Sequence, residues 1–573
     1  MFEERYQFWL TSPYFDEATK EELANIQDKK EIEDRFYTDL EFGTGGMRGV
    51  LGAGTNRMNI YVIRKVTQGL ADLIRENGGQ NKGVVIAYDS RHYSAVFARE
   101  TALVLARNGI KAYLFTSLRP TPELSFAVRF LRAQAGVVIT ASHNPKEYNG
   151  YKVYWEDGGQ VPPRRADQII AYMNLHKRWD DIFPLPEDEA RAQGLLVEIG
   201  EDIDQQYLTQ IKELALYPDL AREKGKNLNI AYTPLHGAGK ELVKRLLTEL
   251  GYNLITVPEQ ETEDPDFTTV PYPNPEIPSA FDLVKKYGTQ HNAQILIATD
   301  PDADRMGVAL QTAPGEYKQL TGNQIGIILT YYLLTQKQKL GLLPADPVVI
   351  KTIASTDLVD ELAQALGVKV ENVLTGFKFI GEKVQEMNRL RSGTFQFGFE
   401  ESYGYLAGDY ARDKDAVGTS LLLAEAVLYY QEKEGRTLFQ VLEEIYQKYG
   451  YYLDDQISLT FTGKEGKEKI AGIMAKLRQR SVDSLGGIPL EAIEDYQLGI
   501  GKKLAEPERT YELKLPKSNV LRFSFQGGGF VMARPSGTEP KIKFYFNLKG
   551  KEPADLEKTL AGVKKDLLEL VNA

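Results

Sequence analysis

Asp300, Asp302 and Asp304 stand at alternate positions directly after the apolar run 294–298, and Arg305 follows them. Three carboxylates so close together suit a hard cation such as Mg²⁺, which takes oxygen ligands from protein and substrate. A solvated acidic turn is the plain alternative. The apolar strand ahead and the arginine behind favour a metal loop. An EF-hand is excluded, because its sixth and twelfth positions need Gly and Glu, and Arg305 and Gln311 occupy them. A phosphatase with Asp300 or Asp302 as aspartyl nucleophile also fits a strand followed by spaced aspartates.

Ser142 lies in Thr140-Ala141-Ser142-His143-Asn144-Pro145, just beyond the apolar run 136–140. A serine at a strand end is available for attack or phosphorylation. No G-x-S-x-G elbow surrounds it, so an α/β-hydrolase is not indicated. His143 is its chain neighbour, and adjacent residues rarely aim at each other, which makes a hydrolase triad a weak reading. Taken alone, Ser142 and His143 would be ordinary loop hydrogen bonding.

Two further segments suit anions. Gly43-Thr44-Gly45-Gly46-Met47-Arg48-Gly49 combines backbone N–H access with a guanidinium clamp. It is no dinucleotide fingerprint, since Arg48 stands at the third glycine position. Arg534-Pro535-Ser536-Gly537-Thr538-Glu539-Pro540 offers a guanidinium, two hydroxyls and a turn glycine, a suitable phosphate cradle. The stretch from Gly376 has a Walker-like spacing, but Glu382 replaces the required lysine.

Positioning these segments calls for strands and helices in alternation. Strands are expected at 84–88, 111–115 and 136–140, with helices at 95–107 and 122–132 between them. The order recurs with strands at 228–232, 253–257 and 294–298 and helices at 240–250 and 281–287. A third round has strands at 347–352, 369–374 and 394–399 and helices at 358–366 and 379–387, and a long helix at 417–430 closes it. Beyond residue 450 the order turns to α+β. The expected fold class is therefore α/β: three tandem α/β domains with mixed, mostly parallel sheets, plus a C-terminal α+β domain. Ligands of open α/β sheets bind beyond the carboxyl ends of strands, where the polar segments lie, so one shared cleft is expected. The expected domains are 1–205 (phosphoserine), 206–312 (metal), 313–448 (sugar recognition) and 449–573 (phosphate binding).

Composition narrows the classes. The 573-residue chain has no cysteine, which excludes disulfides, thiolate metal sites and a cysteine nucleophile. A net charge of −11 argues against nucleic acid on the bulk surface, but allows a small phosphorylated ligand in a local cationic pocket. The first residues, MFEERYQFWLTSPYF, carry early acids and no apolar h-region, so no secretory signal is read there. No run approaches the ~18 apolar residues of a membrane span. A cytoplasmic protein with no membrane partner is expected.

The serine segment, the three aspartates with Arg305, Gly398-Phe399-Glu400-Glu401-Ser402 and Arg534 to Thr538 occur in that order along nearly the whole chain. Together they resemble the four signatures of the α-D-phosphohexomutase superfamily. Residues 42–54 and 398–405 resemble the phosphoglucomutase-2-like branch, which holds bacterial α-phosphoglucomutases and phosphopentomutases. The resemblance implies four domains around a central cleft and a phosphorylated Ser142. It implies Mg²⁺ held by Asp300, Asp302, Asp304 and a phosphoserine oxygen. Arg48 and Lys152 match acid–base and charge-stabilising positions, with His143 beside the nucleophile. Glu401 and Ser402 match sugar-hydroxyl readers, and Arg534, Ser536, Gly537 and Thr538 match the loop gripping the phosphate not being transferred. Thr44, Arg305, Gly376 and Glu400 complete the expected substrate-binding set.

The implied activity interconverts glucose 1-phosphate and glucose 6-phosphate, with Mg²⁺ as cofactor and glucose 1,6-bisphosphate or another sugar bisphosphate as primer and intermediate. A phosphopentomutase or phosphomannomutase of the same fold, a metal-dependent sugar phosphatase and a non-enzymatic phosphosugar-binding protein are the alternatives. Lys152 can act as base only if its surroundings lower its pKa. The chain is expected to act as a monomer or homodimer.

Overall fold

The apolar run Val84–Tyr88 becomes a strand with all but its last residue buried, as its length and β-branched content require. It pairs in parallel with Ala112–Phe115 on one side and Ala135–Ile139 on the other, and Ala135–Ile139 pairs antiparallel with Tyr148–Trp155. The same order returns downstream. Asn229–Thr233 lies in parallel between Asn253–Thr256 and Ile295–Thr299, and Ile295–Thr299 turns back antiparallel into Met306–Ala313. A third set has Pro347–Thr352 in parallel between Lys369–Val373 and Thr394–Glu400. In each set the first strand is central, which the right-handed β-α-β crossover makes natural.

This computed structural model describes residues 2–43, 45–461, 463–480, 482–506, 509–536 and 541–572. They form two compact units. Unit 1 comprises residues 1–320, 381–390 and 403–432, and unit 2 comprises 321–380, 391–402 and 433–573. The expected divisions after 205, 312 and 448 each fall inside one element: helix Glu201–Lys212, strand Met306–Ala313 and helix Leu438–Tyr449.

In unit 1, helices Ile60–Glu76 and Ser94–Arg107 bury Val62, Ile63, Val66, Phe97 and Ala98 against Ile86, Val137 and Ile139. Asn59 caps the first of these helices by accepting from the Val62 N–H at 3.0 Å. Three short helices, Phe2–Thr11, Glu17–Ala24 and Lys29–Phe36, precede the sheet and enclose their own aromatic cluster of Trp9, Phe15, Phe36 and Tyr61.

In unit 2, residues beyond 450 form an antiparallel sheet that includes Tyr451–Thr460, Lys541–Gly550, Gly529–Pro535, Leu521–Phe525 and Ile488–Asp495 in that spatial order. Val531, Phe544, Phe546, Met474 and Val563 fill its core with helices Gly463–Gln479 and Pro553–Asn572. The fold is thus three tandem α/β domains with mixed sheets and a β-rich C-terminal domain. Among the described residues, no helix is long and apolar enough to cross a membrane.

Candidate active site

Strand Ala135–Ile139 delivers the chain to Ser142, which is 2 % exposed and left-handed, with φ of 53°. Such a backbone costs a non-glycine residue on the order of 1–3 kcal/mol and persists only when its surroundings hold it. Here the Ser142 N–H donates to Thr140 Oγ1 at 2.7 Å. Its Oγ donates to Asp300 Oδ2 at 2.7 Å and lies 3.3 Å from His143 Nδ1.

The aspartates leave strand Ile295–Thr299 in a tight loop. Asp300 Oδ1 accepts the backbone N–H of Asp304 at 3.1 Å and of Arg305 at 2.9 Å. Asp302 Oδ2 accepts from Lys152 Nζ at 2.7 Å and from Thr121 Oγ1 at 2.8 Å. Asp304 Oδ2 accepts from Lys152 Nζ at 3.2 Å and lies 3.1 Å from Lys414 Nζ. The other oxygens, Asp302 Oδ1 and Asp304 Oδ1, are buried without a hydrogen-bond partner among the described residues.

Each of the three carboxylates offers one oxygen within 4.8 Å of the others. Buried carboxylate oxygens left unsatisfied are costly, and a hard divalent cation satisfies them. The donor set therefore fits Mg²⁺, with Ser142 Oγ as a neighbouring oxygen.

Charge in the cluster is divided unevenly. Burial, then repulsion from Asp304 and Asp302, pushes Asp300 well above the usual carboxylate range. Burial acts the same way on Asp304, but Lys152, Lys414 and Arg305 overcome it and hold Asp304 well below that range. Burial would depress Lys152, yet Asp302 and Asp304 outweigh it and raise Lys152 above the ordinary lysine value. The condition set for Lys152 to act as the resting base, a lowered pKa, is therefore not met. Two adjacent carboxylates keep it an ammonium, suited to donating a proton and to neutralising charge.

Arg48 and Lys152 sit on paired strands. In the Gly46–Val50 and Tyr148–Trp155 register, Gly46 faces Lys152 and Arg48 faces Gly150, so the period of two puts both cations on one face of the sheet. Glycine is required at this approach. A Cβ at Gly46 would meet the Tyr151 carbonyl oxygen at 2.3 Å, and one at Gly150 would meet that of Thr140 at 2.5 Å. Arg48 Nη1 donates to Asn144 Oδ1 at 3.0 Å, which ties it to the serine loop. Arg305 donates to Glu276, so at least one of its nitrogens is engaged within unit 1.

Gly376, Glu400, Glu401, Ser402, Arg534 and Ser536 lie in unit 2. Glu401 Oε2 accepts from Thr352 Oγ1 at 2.9 Å. Burial first and Glu400 second raise the Glu401 carboxyl above its ordinary value. Burial opposes the charge on Arg534, but Tyr545, Glu401 and Glu400 more than offset it and hold the guanidinium above its usual value. Arg534 Nη1 donates to Tyr545 Oη at 3.4 Å, and the Ser536 N–H donates to the Lys541 carbonyl at 2.7 Å. Ser402 directly follows Glu401. Gly376, with φ of 121°, precedes helix Phe377–Leu390. Thr44, Gly537 and Thr538 lie outside the described residues.

Sequence reasoning missed Lys414, Thr121 and Arg91. Lys414 sits in an Arg-Asp-Lys-Asp run, Arg412 to Asp415, that ends on the Asp415 cap of helix Ala416–Tyr429. The cap marks where the helix starts, but nothing local in the sequence ties Lys414 to Asp304.

Comparison with known proteins gives the family. Residues 39–178, 205–315 and 321–449 match the phosphoglucomutase/phosphomannomutase α/β/α domains I, II and III. A phosphoglucomutase of Staphylococcus saprophyticus is 38% identical over 94% of this chain and 96% of its own. One of Staphylococcus haemolyticus is 37% identical over 93% and 95%. In fold, the chain is similar to a phosphoglucomutase/phosphomannomutase family protein of Burkholderia thailandensis, with a TM-score of 0.67, 18% identity and coverage of 92% of this chain and 97% of that one. The open form of Paramecium parafusin also has a TM-score of 0.67, at 17% identity over 93% and 96%. Three successive domain matches and relatives aligned nearly end to end mean that the chain belongs to the phosphoglucomutase/phosphomannomutase family.

Proposed function

We propose that the chain is an isomerase that interconverts glucose 1-phosphate and glucose 6-phosphate, with Ser142 as the phosphoryl carrier. The observation that carries the reading is the 2.7 Å bond from Ser142 Oγ to Asp300, inside a carboxylate cluster with two unsatisfied buried oxygens. Asp300, Asp302 and Asp304 would hold Mg²⁺, which when bound neutralises phosphoryl charge and polarises it for attack.

In the forward half, the phosphoryl group leaves Ser142 Oγ and bonds to the free hydroxyl of a sugar monophosphate. The hydroxyl releases its proton to solvent, and the serine oxygen takes one from Lys152. Lys152, an ammonium beside Asp302 and Asp304, supplies a proton to the oxygen leaving phosphorus. In the return half the neutral amine left by that donation takes back the Ser142 hydroxyl proton as Oγ rejoins phosphorus, and the sugar oxygen is reprotonated from solvent. Arg48 and Lys414 add positive charge where phosphoryl transfer needs it. The sugar bisphosphate then returns its other phosphate to Ser142, so glucose 1,6-bisphosphate serves as primer and intermediate. His143 is assigned to the serine side of the transfer.

Glu400, Glu401 and Ser402, with Thr44, Arg305 and Gly376, are assigned to the sugar and its approach. Arg534, Ser536, Gly537 and Thr538 are assigned to the phosphate that is not moving. We further propose divisions near 205, 312 and 448, a cytoplasmic location and a monomer or homodimer.

The test is Ser142→Ala. Turnover of glucose 1-phosphate should fall to background, and intact mass should show a phosphoryl adduct on the wild type only. Steady release of inorganic phosphate by Ser142→Ala would overturn the reading in favour of a phosphatase.

A further inference from the structure

Arg91 follows strand Val84–Tyr88 by three residues, and its side chain is entirely buried, as is that of its counter-ion Asp89. The Arg91 Nη2 donates to the backbone carbonyls of Ser142 and Asn144. Its Nη1 donates to those of Pro145 at 2.8 Å and Tyr148 at 3.1 Å. One guanidinium thus collects four carbonyls of the loop that carries the carrier serine. The Arg91 Nε lies 3.3 Å from Asp89 Oδ2, and the Phe267 ring packs against the guanidinium with 5.1 Å to its centroid.

Asp89 holds the other end of the same loop. Its Oδ2 accepts from Thr140 Oγ1 at 2.6 Å, and Thr140 Oγ1 in turn accepts the Ser142 N–H at 2.7 Å. Ser142 is therefore gripped on its carbonyl side by Arg91 and on its amide side through Asp89 and Thr140. Its left-handed φ of 53° has no glycine to ease it, so these bonds must impose it. The hydrogen bonds of the Arg91 guanidinium all go to backbone, so the residue is built to shape the loop. A lysine could not replace it, because an ammonium is a point charge without the planar fork that reaches four acceptors.

We propose that Arg91 is a positioning residue for phosphoryl transfer, setting the backbone of residues 142–148 so that Ser142 Oγ is presented to Asp300. The inference rests on the mutase reading. A displacement of about 1 Å at a reacting group costs on the order of a hundredfold in rate.

The experiment compares wild type, Arg91→Lys and Arg91→Met in two readouts. The first is kcat and KM for glucose 1-phosphate with glucose 1,6-bisphosphate present. The second is amide hydrogen exchange across the chain. The expected result is kcat lower by about a hundredfold in both variants with KM within about threefold, and faster exchange confined to residues 140–148. Arg91→Lys with kcat within about threefold of wild type and unchanged loop exchange would overturn the proposal. So would faster exchange spread across the whole chain in both variants, which would make Arg91 a general strut. A wild type that turns over no sugar phosphate would sink the mutase reading instead, and loop exchange would still decide whether Arg91 positions Ser142.

Discussion

Ser142 and Asp300, 158 positions apart in the chain, meet through a 2.7 Å hydrogen bond from the serine Oγ to the carboxylate Oδ2. Each stands just past the end of a third strand in its own α/β set, so equivalent points of two repeated architectures converge. The bond also leaves Asp300 Oδ1 to the loop's own N–H groups, which separates the oxygen facing the serine from the one that shapes the loop.

Mg²⁺ should stabilise the protein. Ligand at a hundred times its Kd adds about 2.7 kcal/mol. The melting temperature of wild type should therefore rise with Mg²⁺ and turnover should stop in EDTA. Asp302→Asn should melt at the same temperature with and without Mg²⁺, as differential scanning calorimetry will show.

Lys152→Met should separate two effects of one ammonium. Lys152 bonds to Asp302 and Asp304, so removing it frees their oxygens for a cation. Titration calorimetry should show tighter Mg²⁺ binding, while kcat falls by roughly 10²–10⁴-fold through loss of the acid. Weaker Mg²⁺ binding would refute the competition.

Glu401→Gln keeps the shape of a carboxylate that accepts from Thr352 but removes its charge. Hydrogen bonds to charged groups are worth about 1.5–3 kcal/mol, so kcat/KM for glucose 1-phosphate should drop by roughly 10- to 100-fold. Progress curves at subsaturating sugar measure it directly.

Asp454 makes folding in unit 2 sensitive to pH. Burial pushes its carboxyl up to about 7, against the hydrogen bonds from Asn547 and Asn323 that favour the charged form. Because the folded value is raised, stability is full below the unfolded value and is lost as pH rises through about 7. Three pH units correspond to about 4 kcal/mol at most, reduced by solvent screening of this partly exposed residue. Urea unfolding at pH 5 and pH 8 should show wild type weakening at pH 8 and Asp454→Asn with a smaller change.

Gly150→Ala should cost about 1–3 kcal/mol, since the new methyl would press on the Thr140 and Met47 carbonyl oxygens at 2.5 and 2.8 Å. Activity should fall with it, because Thr140 leads into Ser142. Equal unfolding midpoints for variant and wild type would contradict the close approach.

Much of this was legible in the sequence. The strand Pro347–Thr352 begins and ends where expected, and Val84–Tyr88 likewise, because short apolar runs bounded by polar residues have few other fates. The aspartates were readable as a candidate metal loop from their spacing together with the apolar strand ahead and Arg305 behind. Arg91 and Lys414 were not. Each is a lone cation whose partners, the 142–148 carbonyls and Asp304, are distant in sequence, and local pattern carries no trace of them. Lys152 was readable as a candidate, but the sign of its shift depended on two carboxylates 150 and 152 residues away. The three amino-terminal helices were also not anticipated.

The glycine-lined pairing of Gly46–Val50 with Tyr148–Trp155 has a consequence for how the gene can change. Arg48 and Lys152 share a face only because both strands keep a strict alternation. A single codon inserted between Gly150 and Lys152 would invert every side chain beyond it and turn the ammonium toward the opposite side of the sheet. Insertions beyond Trp155 carry no such penalty. An inserted residue in this part of the chain is therefore expected to be tolerated only in the connections, where it leaves the register of the strand bearing Lys152 unchanged.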